Sequence, residues 1–283
     1  MTNIIPAVAF IILAPFIGAL LEGFDRKLSA RMQGRTGPSV LQPLFDVKKL
    51  LSKEAISVNG LQSVLVFSYL AMVIITGVLL YLGLDLLMIF FVLTTAAMFF
   101  VLAGGCTNSP FSGIGTQREL LQMMSYEPAV LLAAVGFYLA TGSFKVSDIV
   151  AAGQPAALLL PGMLLAFVFI LTIKMRKSPF DLSTSHHAHQ ELVKGITTEI
   201  SGPFLAVVEI AEWYENVFLL SVVGLFFIGG GVVGAVIAAL VVWFLEILID
   251  NTSARVTWQL TLKSAWIVTL VLGGLNLLVL SLI

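Results

Sequence analysis

The stretch PFLAVVEIAEWYENVFLLSVVGLFFIGG, residues 203–230, places three glutamates in an otherwise apolar run. Glu209, Glu212 and Glu215 are three residues apart, so on a helix they follow one face at steps of about 4.5 Å. A carboxylate in hydrocarbon is costly unless it is protonated, paired or facing water, and such residues commonly mark an ion pathway. We therefore predict a membrane helix that carries an ion path, with at least one glutamate protonated at neutral pH. The alternative is a helix that begins later and leaves these carboxylates among lipid headgroups.

Composition places the whole chain among helical membrane proteins. Hydrophobic residues make up 59% and charged residues 11% of its 283 residues, against about 45–50% and about 25% in soluble domains. Several uncharged runs are long enough to cross a bilayer, which takes about 20 apolar residues. We predict an all-α membrane protein, one polytopic domain over 1–283, with about eight transmembrane helices joined by structured amphipathic loops. The predicted spans cover residues 4–24, 61–83, 86–104, 128–143, 156–174, 203–228, 230–249 and 265–282.

The basic residues are distributed asymmetrically between the two sides of this arrangement. Of the 15 Lys and Arg residues, 14 fall in or beside the loops 25–60, 105–127, 175–202 and 250–264, and only Lys145 lies opposite. By the positive-inside rule these loops are cytoplasmic and both termini face outward. The first apolar run has no basic leader or small-residue cleavage site, so we expect its retention in a multi-pass protein of the cell membrane.

Cysteine and histidine use exclude several redox functions. Cys106 is the only cysteine, so the chain cannot supply the four thiolates of a cubane iron–sulfur cluster or close an internal disulfide. The histidines, His186, His187 and His189, share one loop, so none is placed to bind haem in the bilayer. They could form a metal site, titratable contacts with a partner or ordinary polar packing, and the metal site has the weakest motif support. No phosphate-binding glycine motif is present, and no nucleic-acid partner is expected.

Two of the basic loops carry extended motifs. Residues 31–54 read RMQGRTGPSVLQPLFDVKKLLSKE, and the second half is amphipathic, which fits a helix on anionic lipid or beneath a partner subunit. Residues 178–203 read SPFDLSTSHHAHQELVKGITTEISGP. Both loops resemble those of the subunit 1 (H-type) membrane protein of respiratory complex I. In that family the first loop reads R-x-Q-x-R-x-G-P, L-Q-P and D-x-x-K-L-x-x-K-E. The second loop reads PFDL, E-L-V-x-G and T-E-x-S-G.

The resemblance rests on many positions in each loop. In the first loop the matching residues are Arg31, Gln33, Arg35, Gly37, Pro38, Leu41, Gln42, Pro43, Asp46, Lys49, Leu50, Lys53 and Glu54. In the second they are Pro179, Phe180, Asp181, Leu182, Glu191, Leu192, Val193, Gly195, Thr198, Glu199, Ser201 and Gly202. Residues 183–190, STSHHAHQ, depart from the pattern, because complex I members carry proline and acidic residues there. This form is similar to the Ech-type and CO-induced energy-converting, group 4 [NiFe] hydrogenases, whereas the formate hydrogenlyase branch stays closer to the acidic version.

The resemblance implies the membrane-anchoring and ion-translocation-coupling subunit of an energy-converting [NiFe] hydrogenase, which couples ferredoxin oxidation and hydrogen formation to translocation of H⁺ or Na⁺. It implies no catalytic centre or cofactor in this chain, since the [NiFe] centre and the iron–sulfur clusters belong to partner subunits. Expected partners are the hydrogenase large and small subunits, a ferredoxin-like iron–sulfur subunit and an antiporter-like membrane subunit, with ferredoxin as electron donor. The alternatives are the quinone-site subunit of complex I, whose acidic loop is missing here, and an independent secondary transporter, although the chain shows no internal repeat.

Candidate residues come from the resemblance and from the positions of charged residues in the chain. The resemblance implies Glu199, Glu209, Glu212 and Glu215 as candidates for the ion path, and Glu246 and Glu127 are further candidates in or beside the predicted spans. The candidates for subunit-interface loops are Arg31, Arg35, Asp46, Lys49, Glu54, Arg118, Glu119, Asp181, His186, His187, His189, Glu191 and Lys194. We expect the loops 31–54, 107–127 and 175–202 to pack together, because unpaired charges at a desolvated interface are costly. Convergence would let the basic residues pair with the acidic ones, namely Arg31, Arg35, Arg118 and Lys194 with Asp46, Glu119, Glu191 and Glu199.

Overall fold

The computed structural model describes residues 4–181, 183–184 and 192–282, and it is an all-helical bundle over those residues. The long helices are joined by short turns or by amphipathic pieces. The helices are α1 (Ile4–Met32), α2 (Gln42–Leu51), α3 (Gly60–Tyr81), α4 (Leu86–Gly105), α5 (Pro110–Thr141), α6 (Val146–Ala151), α7 (Pro161–Lys174), α8 (Gly202–Phe227), α9 (Val232–Thr252), α10 (Trp258–Val268) and α11 (Leu275–Leu282). A π-helical turn, Thr269–Gly274, joins the last two into one rod.

The predicted multi-pass membrane architecture is confirmed. Within the described residues, seven helices are long and apolar enough to cross a membrane: α1, α3, α4, α5, α8, α9 and the α10–α11 rod. The remaining predicted span, 156–174, corresponds to α7, which is apolar but has only 14 residues. The bundle therefore agrees with about eight spans, of which one is short.

One predicted boundary was wrong in a way that matters for the site. The sequence predicts a loop over 105–127 and a span over 128–143, whereas α5 is continuous from Pro110. Ser109 caps the helix by accepting a hydrogen bond from the backbone of Ser112, and proline suits the first helical position. Arg118 and Glu119, which interrupt the apolar pattern of the sequence, lie buried inside the protein. The charges were therefore a sign of a buried site rather than of a helix boundary.

The shortness of α7 positions the next residues deep in the bundle. Fourteen helical residues are about 21 Å long, less than the roughly 30 Å of a bilayer core. The chain therefore leaves the helix after Lys174 and continues as an irregular segment over residues 175–181, where Ser178, Phe180 and Asp181 are buried. Non-helical backbone at such a depth is tolerated only where protein surrounds it or a cavity adjoins it.

The central helix is α8, which packs against α1, α2, α3, α7 and α9. Its apolar side chains join two cores, one including Phe226 and the other including Tyr214. Against α1 the approach is very close, because a Cβ on Gly18 would lie 2.6 Å from the Trp213 Cβ. Only glycine fits there, so this contact fixes the distance between α1 and the acidic helix.

The loops with basic residues converge at one end of the bundle, as expected. Ser112 of α5 donates to the backbone oxygen of Ile196 at 3.4 Å, and the Gln62 amide donates to that of Glu199 at 3.3 Å. At the same end the side chains of Gln33 and Asn251 form a hydrogen bond of 3.1 Å. This end of the molecule is therefore a structured surface rather than a set of independent linkers.

Candidate functional site

Lys174, at the last turn of α7, binds the innermost of the three glutamates. Its Nζ lies 2.6 Å from Glu215 Oε1, and the exposed fractions of the two side chains are 5% and 14%. The Tyr69 hydroxyl donates to the other oxygen of Glu215 at 3.2 Å. Lys174 also lies over the ring of Tyr126, 4.4 Å from its centroid. The carboxylate and the ammonium group are thus satisfied by each other and by aromatic side chains from α3 and α5.

Arg176 binds the middle glutamate and connects it to α5. Its Nη1 lies 3.2 Å from Glu212 Oε1, and its Nη2 lies 4.0 Å from Glu119 Oε1. The guanidinium also lies over the ring of Phe100, 5.1 Å from the centroid. Arg176 has a φ of 55°, a backbone conformation that side chains other than glycine rarely adopt. A strained residue is retained only where its surroundings over-determine it. Here the guanidinium is held by the groups just named and also donates a hydrogen bond to the Thr184 hydroxyl.

These residues form one connected set, which we call the α8 charge network: Glu119, Lys174, Arg176, Glu212 and Glu215. A cavity of about 20 Å³ lies among Tyr69, Gln122, Tyr126 and members of the network. That volume is sufficient for one water molecule, which needs roughly 10–15 Å³ and two to four polar partners. Carboxylates, a phenol and a water-sized space at these separations are the components through which a proton can move.

A second buried ion pair adjoins the network towards the end of the bundle with the basic loops. Arg118 Nη1 lies 2.6 Å from Asp181 Oδ2, and the exposed fractions of the side chains are 10% and 9%. Arg118 also lies over the Trp258 ring at 5.4 Å from its centroid. Its neighbour Glu119 accepts a hydrogen bond from Ser183. The pair thus ties α5 to the irregular segment and to the start of α10.

Glu209 lies outside the network, nearer to α1 and α2. Of the described residues, none forms a hydrogen bond or an ion pair with the Glu209 carboxylate. Its closest charged neighbours on α1 belong to another cluster, in which Glu22 accepts from Trp213 Nε1 and pairs with Arg26. The prediction that at least one of the three helix glutamates is protonated stays a prediction. Of the three, Glu209 is the one without an ion pair among the described residues.

Among the described residues, the other candidates for the ion path form no ion pair with the α8 charge network. Glu127, on α5, accepts a hydrogen bond from Thr94. Glu199 is half-buried, and its backbone oxygen accepts a hydrogen bond from Gln62. Glu246 is fully buried on α9. The structure therefore brings together two of the six predicted path residues, Glu212 and Glu215.

The predicted interface residues divide into a buried group and an exposed group. Arg118, Glu119 and Asp181 are buried in the ion pairs described above. The exposed residues are Arg31, Arg35, Lys49, Glu54 and Lys194. His186, His187, His189 and Glu191 lie outside the described residues. Among the described residues, no three His, Cys, Asp or Glu side chains come together as metal ligands do.

The expected pairing of Asp46 was wrong. Its partner is Arg26, whose Nη1 lies 2.8 Å from Asp46 Oδ2, and not Arg31 or Arg35. Because α1 continues to Met32, Arg26 lies on its helical surface beside α2, while Arg35 follows beyond the helix end and contacts Gln33. The sequence also failed to single out Lys174 and Arg176 as partners of the α8 glutamates. Their position directly after an apolar run did not distinguish them, because lysine and arginine side chains near a helix end commonly extend to the membrane interface.

Comparison with known proteins agrees with this architecture. A family model described as NADH dehydrogenase matches residues 5–281. Hydrogenase-4 component C of Escherichia coli is 30% identical over 291 residues, covering 92% of this chain and 90% of that protein. The H-type subunit of NADH-quinone oxidoreductase from Syntrophotalea carbinolica is 30% identical, covering 90% and 88% respectively. Formate hydrogenlyase subunit 4 of Escherichia coli is 29% identical, covering 88% and 90%.

A solved structure has the same fold. A chain of the membrane-bound sulfane sulfur reductase, an archaeal respiratory membrane complex, superposes with a TM-score of 0.86 and covers 99% of this chain and 100% of its own length. The sequence identity is 21%, so this likeness shows the fold alone. The family match and the relatives over nearly the full length carry the assignment. The chain therefore belongs to the NADH dehydrogenase family of membrane proteins, which includes the H-type subunit of complex I and group 4 hydrogenase-like components.

Proposed function

We propose that this chain is the membrane-anchoring and ion-translocation-coupling subunit of an energy-converting [NiFe] hydrogenase. In this proposal the complex couples ferredoxin oxidation and hydrogen formation to translocation of H⁺ or Na⁺. The chain itself carries no redox centre; the [NiFe] site and the iron–sulfur clusters belong to the partners. Those partners are the hydrogenase large and small subunits, a ferredoxin-like iron–sulfur subunit and an antiporter-like membrane subunit.

The observation that carries the coupling role is the α8 charge network. Two carboxylates and two cations lie inside a membrane bundle around a water-sized cavity. Intramembrane ionisable groups are expensive and are found mainly on ion or proton paths. A plain anchor would be more stable with apolar side chains of the same volume, because buried ion pairs commonly cost more in desolvation than they return. The network therefore supports a conducting or switching role.

One sequence feature supports a hydrogenase over the complex I members of the family. Residues 183–190 read STSHHAHQ where the complex I pattern is acidic. Relatives named hydrogenase-4 component C and formate hydrogenlyase subunit 4 cover about nine-tenths of the chain, as does a complex I relative. We place the end with the basic loops in the cytoplasm, where the hydrogenase subunits would dock, and we place both termini outside.

Replacing Glu212 with Gln tests the coupling role. We expect the complex in inverted vesicles to form hydrogen from reduced ferredoxin, while uptake of H⁺ or Na⁺ falls to the level seen with an ionophore. Uptake is measured with a pH-sensitive dye and with radiolabelled sodium, so the experiment also identifies the ion. The loss follows because glutamine retains the shape but cannot carry charge or exchange a proton.

The matched control is Asp148→Asn, which changes an exposed carboxylate on α6 that is not part of the network. It should leave hydrogen formation and ion uptake unchanged. Normal uptake with Glu212→Gln would mean that the network is structural, and the coupling role would be abandoned.

The quinone-site subunit of complex I is the second candidate, because the H-type subunit of an NADH-quinone oxidoreductase is 30% identical over most of the chain. The composition of the purified complex separates the two. Nickel with iron–sulfur clusters and without quinone supports the hydrogenase. Flavin with bound quinone and without nickel would assign the chain to an NADH:quinone oxidoreductase.

A further inference from the structure

Glu246 is a buried carboxyl group that the α8 charge network does not use. It lies on α9, two turns before the end of the helix, and its exposed fraction is 0%. Neither of its carboxyl oxygens has a hydrogen-bond partner among the described residues. A charged group in such a position costs several kcal/mol, more than most single interactions in a protein return.

A second cluster of charges lies one helical turn further along. Lys177 pairs with Asp25 of α1, and its Nζ lies 4.0 Å from Asp250 Oδ2. Asp250 also accepts a hydrogen bond of 2.8 Å from the backbone N–H of Ser178. The Asp250 side chain is 31% exposed, so the cluster reaches the surface. We call Asp25, Lys177, Glu246 and Asp250 the α9 cluster.

The charges that face Glu246 can be named element by element within the described residues. Asp250 lies on its own helix, α9, and Lys177 comes from the segment after α7; these are the two charges that act on it. From α1, Asp25 acts through its pairing with Lys177. Among the described residues, no hydrogen bond or ion pair joins the α9 cluster to the α8 charge network.

The surroundings favour a proton over a metal cation as the occupant. The buried neighbours of Glu246 on α9, Val242 and Ile247, offer no oxygen ligands, whereas hard cations need several. The nearby cation, Lys177, is already shared by two carboxylates, so it cannot also neutralise Glu246. A bound proton needs no further ligand and removes the buried charge.

We propose that Glu246 is a second proton-binding site, which holds a proton at neutral pH and exchanges it with water through Asp250 at the end of α9. Release leaves a carboxylate on Glu246 and transfers one proton to Asp250 or to a water beside it. The site goes beyond the ion path proposed above. The short segment that contains Lys174 and Arg176 also contains Lys177, so one piece of backbone joins the two sets of charges.

Infrared difference spectroscopy on the complex in native membranes tests this site without any measurement of activity. Spectra recorded in H₂O and D₂O at neutral pH should contain the carbonyl band of a protonated carboxyl group that shifts in D₂O. That band should be missing in Glu246→Gln. In Glu246→Asp, which keeps an acid at the position, a D₂O-sensitive band should return at a changed frequency.

Asp148→Asn is the control. Hydrogen bonds from Ser143 and Ser147 lower the pKa of the exposed Asp148 carboxyl, so it is ionised at neutral pH and contributes no such band. Identical spectra for the wild type and Glu246→Gln would show that Glu246 is ionised. A band that is lost in Glu246→Gln but never shifts in D₂O would show a sealed structural acid. Either result overturns the proposal, and neither depends on whether the complex makes hydrogen or pumps ions.

Discussion

Lys174 is a buried cation whose charge is compensated by one neighbouring carboxylate. It is a lysine inside a membrane bundle, with 5% of its side chain exposed, and it remains tolerable because Glu215 is 2.6 Å away. Tyr126 adds an aromatic face, which attracts the ammonium group. Removing one partner of such a pair leaves an uncompensated buried charge, which is worse than removing both.

We therefore expect Lys174→Met to destabilise the subunit by about 3–5 kcal/mol, with Glu215 as the stranded group. The double variant, Lys174→Met with Glu215→Gln, should recover most of that loss. Thermal aggregation of the detergent-solubilised complex measures both. Additive losses in the double variant would show that the two side chains do not interact, contrary to the contact described.

The partners of the buried carboxylates could not be predicted from the sequence. The apolar run around Glu209, Glu212 and Glu215 made those residues recognisable, because a carboxylate in a membrane helix is rare. Their partners come from elsewhere in the chain, and which cation faces which carboxylate depends on where α7 ends. Glu246 was also predicted to lie on the ion path, but it lies on α9 and is not part of the α8 charge network.

At the scale of elements, most helices were predictable and their ends were not. Runs of uncharged residues identify spans because the bilayer fixes their length. The start of α5 was missed because Arg118 and Glu119 interrupt the apolar run, whereas in the structure both are buried. The shortness of α7 was missed for the related reason that the apolar run begins before the helix does, in the turns at 152–160. The starts of α5 and α7 both depend on which residues are buried in the folded protein, and a local sequence pattern does not show this.

The contact between α1 and α8 gives an element-scale prediction. Gly18→Leu should prevent assembly of the subunit, because a side chain there meets the Trp213 Cβ and backbone of the neighbouring helix. Gly234→Leu is the matched control, since Gly234 lies on an exposed face of α9 with open space around it. Yield of assembled complex after solubilisation measures both. Equal yields would mean that α1 can move away from α8 without consequence.

At the scale of the whole molecule, one end carries nearly all of the basic residues and the other carries Lys145. This distribution is the basis for the proposed orientation, with the basic end in the cytoplasm. The convergence of loops at that end gives a partner a single composite surface to bind, built from α2, the start of α5 and the segments around Asp181 and Glu199.

A pair of accessibility measurements tests the orientation. Cys106→Ser removes the only cysteine, and Arg35→Cys or Lys145→Cys then adds one at either end. In intact cells a membrane-impermeant thiol reagent should label position 145 and not position 35, and in inverted vesicles the preference should reverse. Labelling of position 35 from outside would invert the topology and would move the proposed hydrogenase docking surface to the wrong side of the membrane.

The contacts made by the segment after α7 constrain the length of that segment. Lys174 pairs with an acidic residue on α8. Arg176 pairs with acidic residues on α8 and α5, and Lys177 pairs with acidic residues on α1 and α9. An alanine inserted after Met175 would leave every charged residue and the net charge unchanged, yet it would put two of these three cations out of register. We expect such an insertion to abolish assembly or coupling, whereas one beside Gly153, in an exposed turn, should be tolerated. The spacing between these cations is therefore constrained by the structure. An insertion or deletion in this segment should be tolerated less well than a substitution.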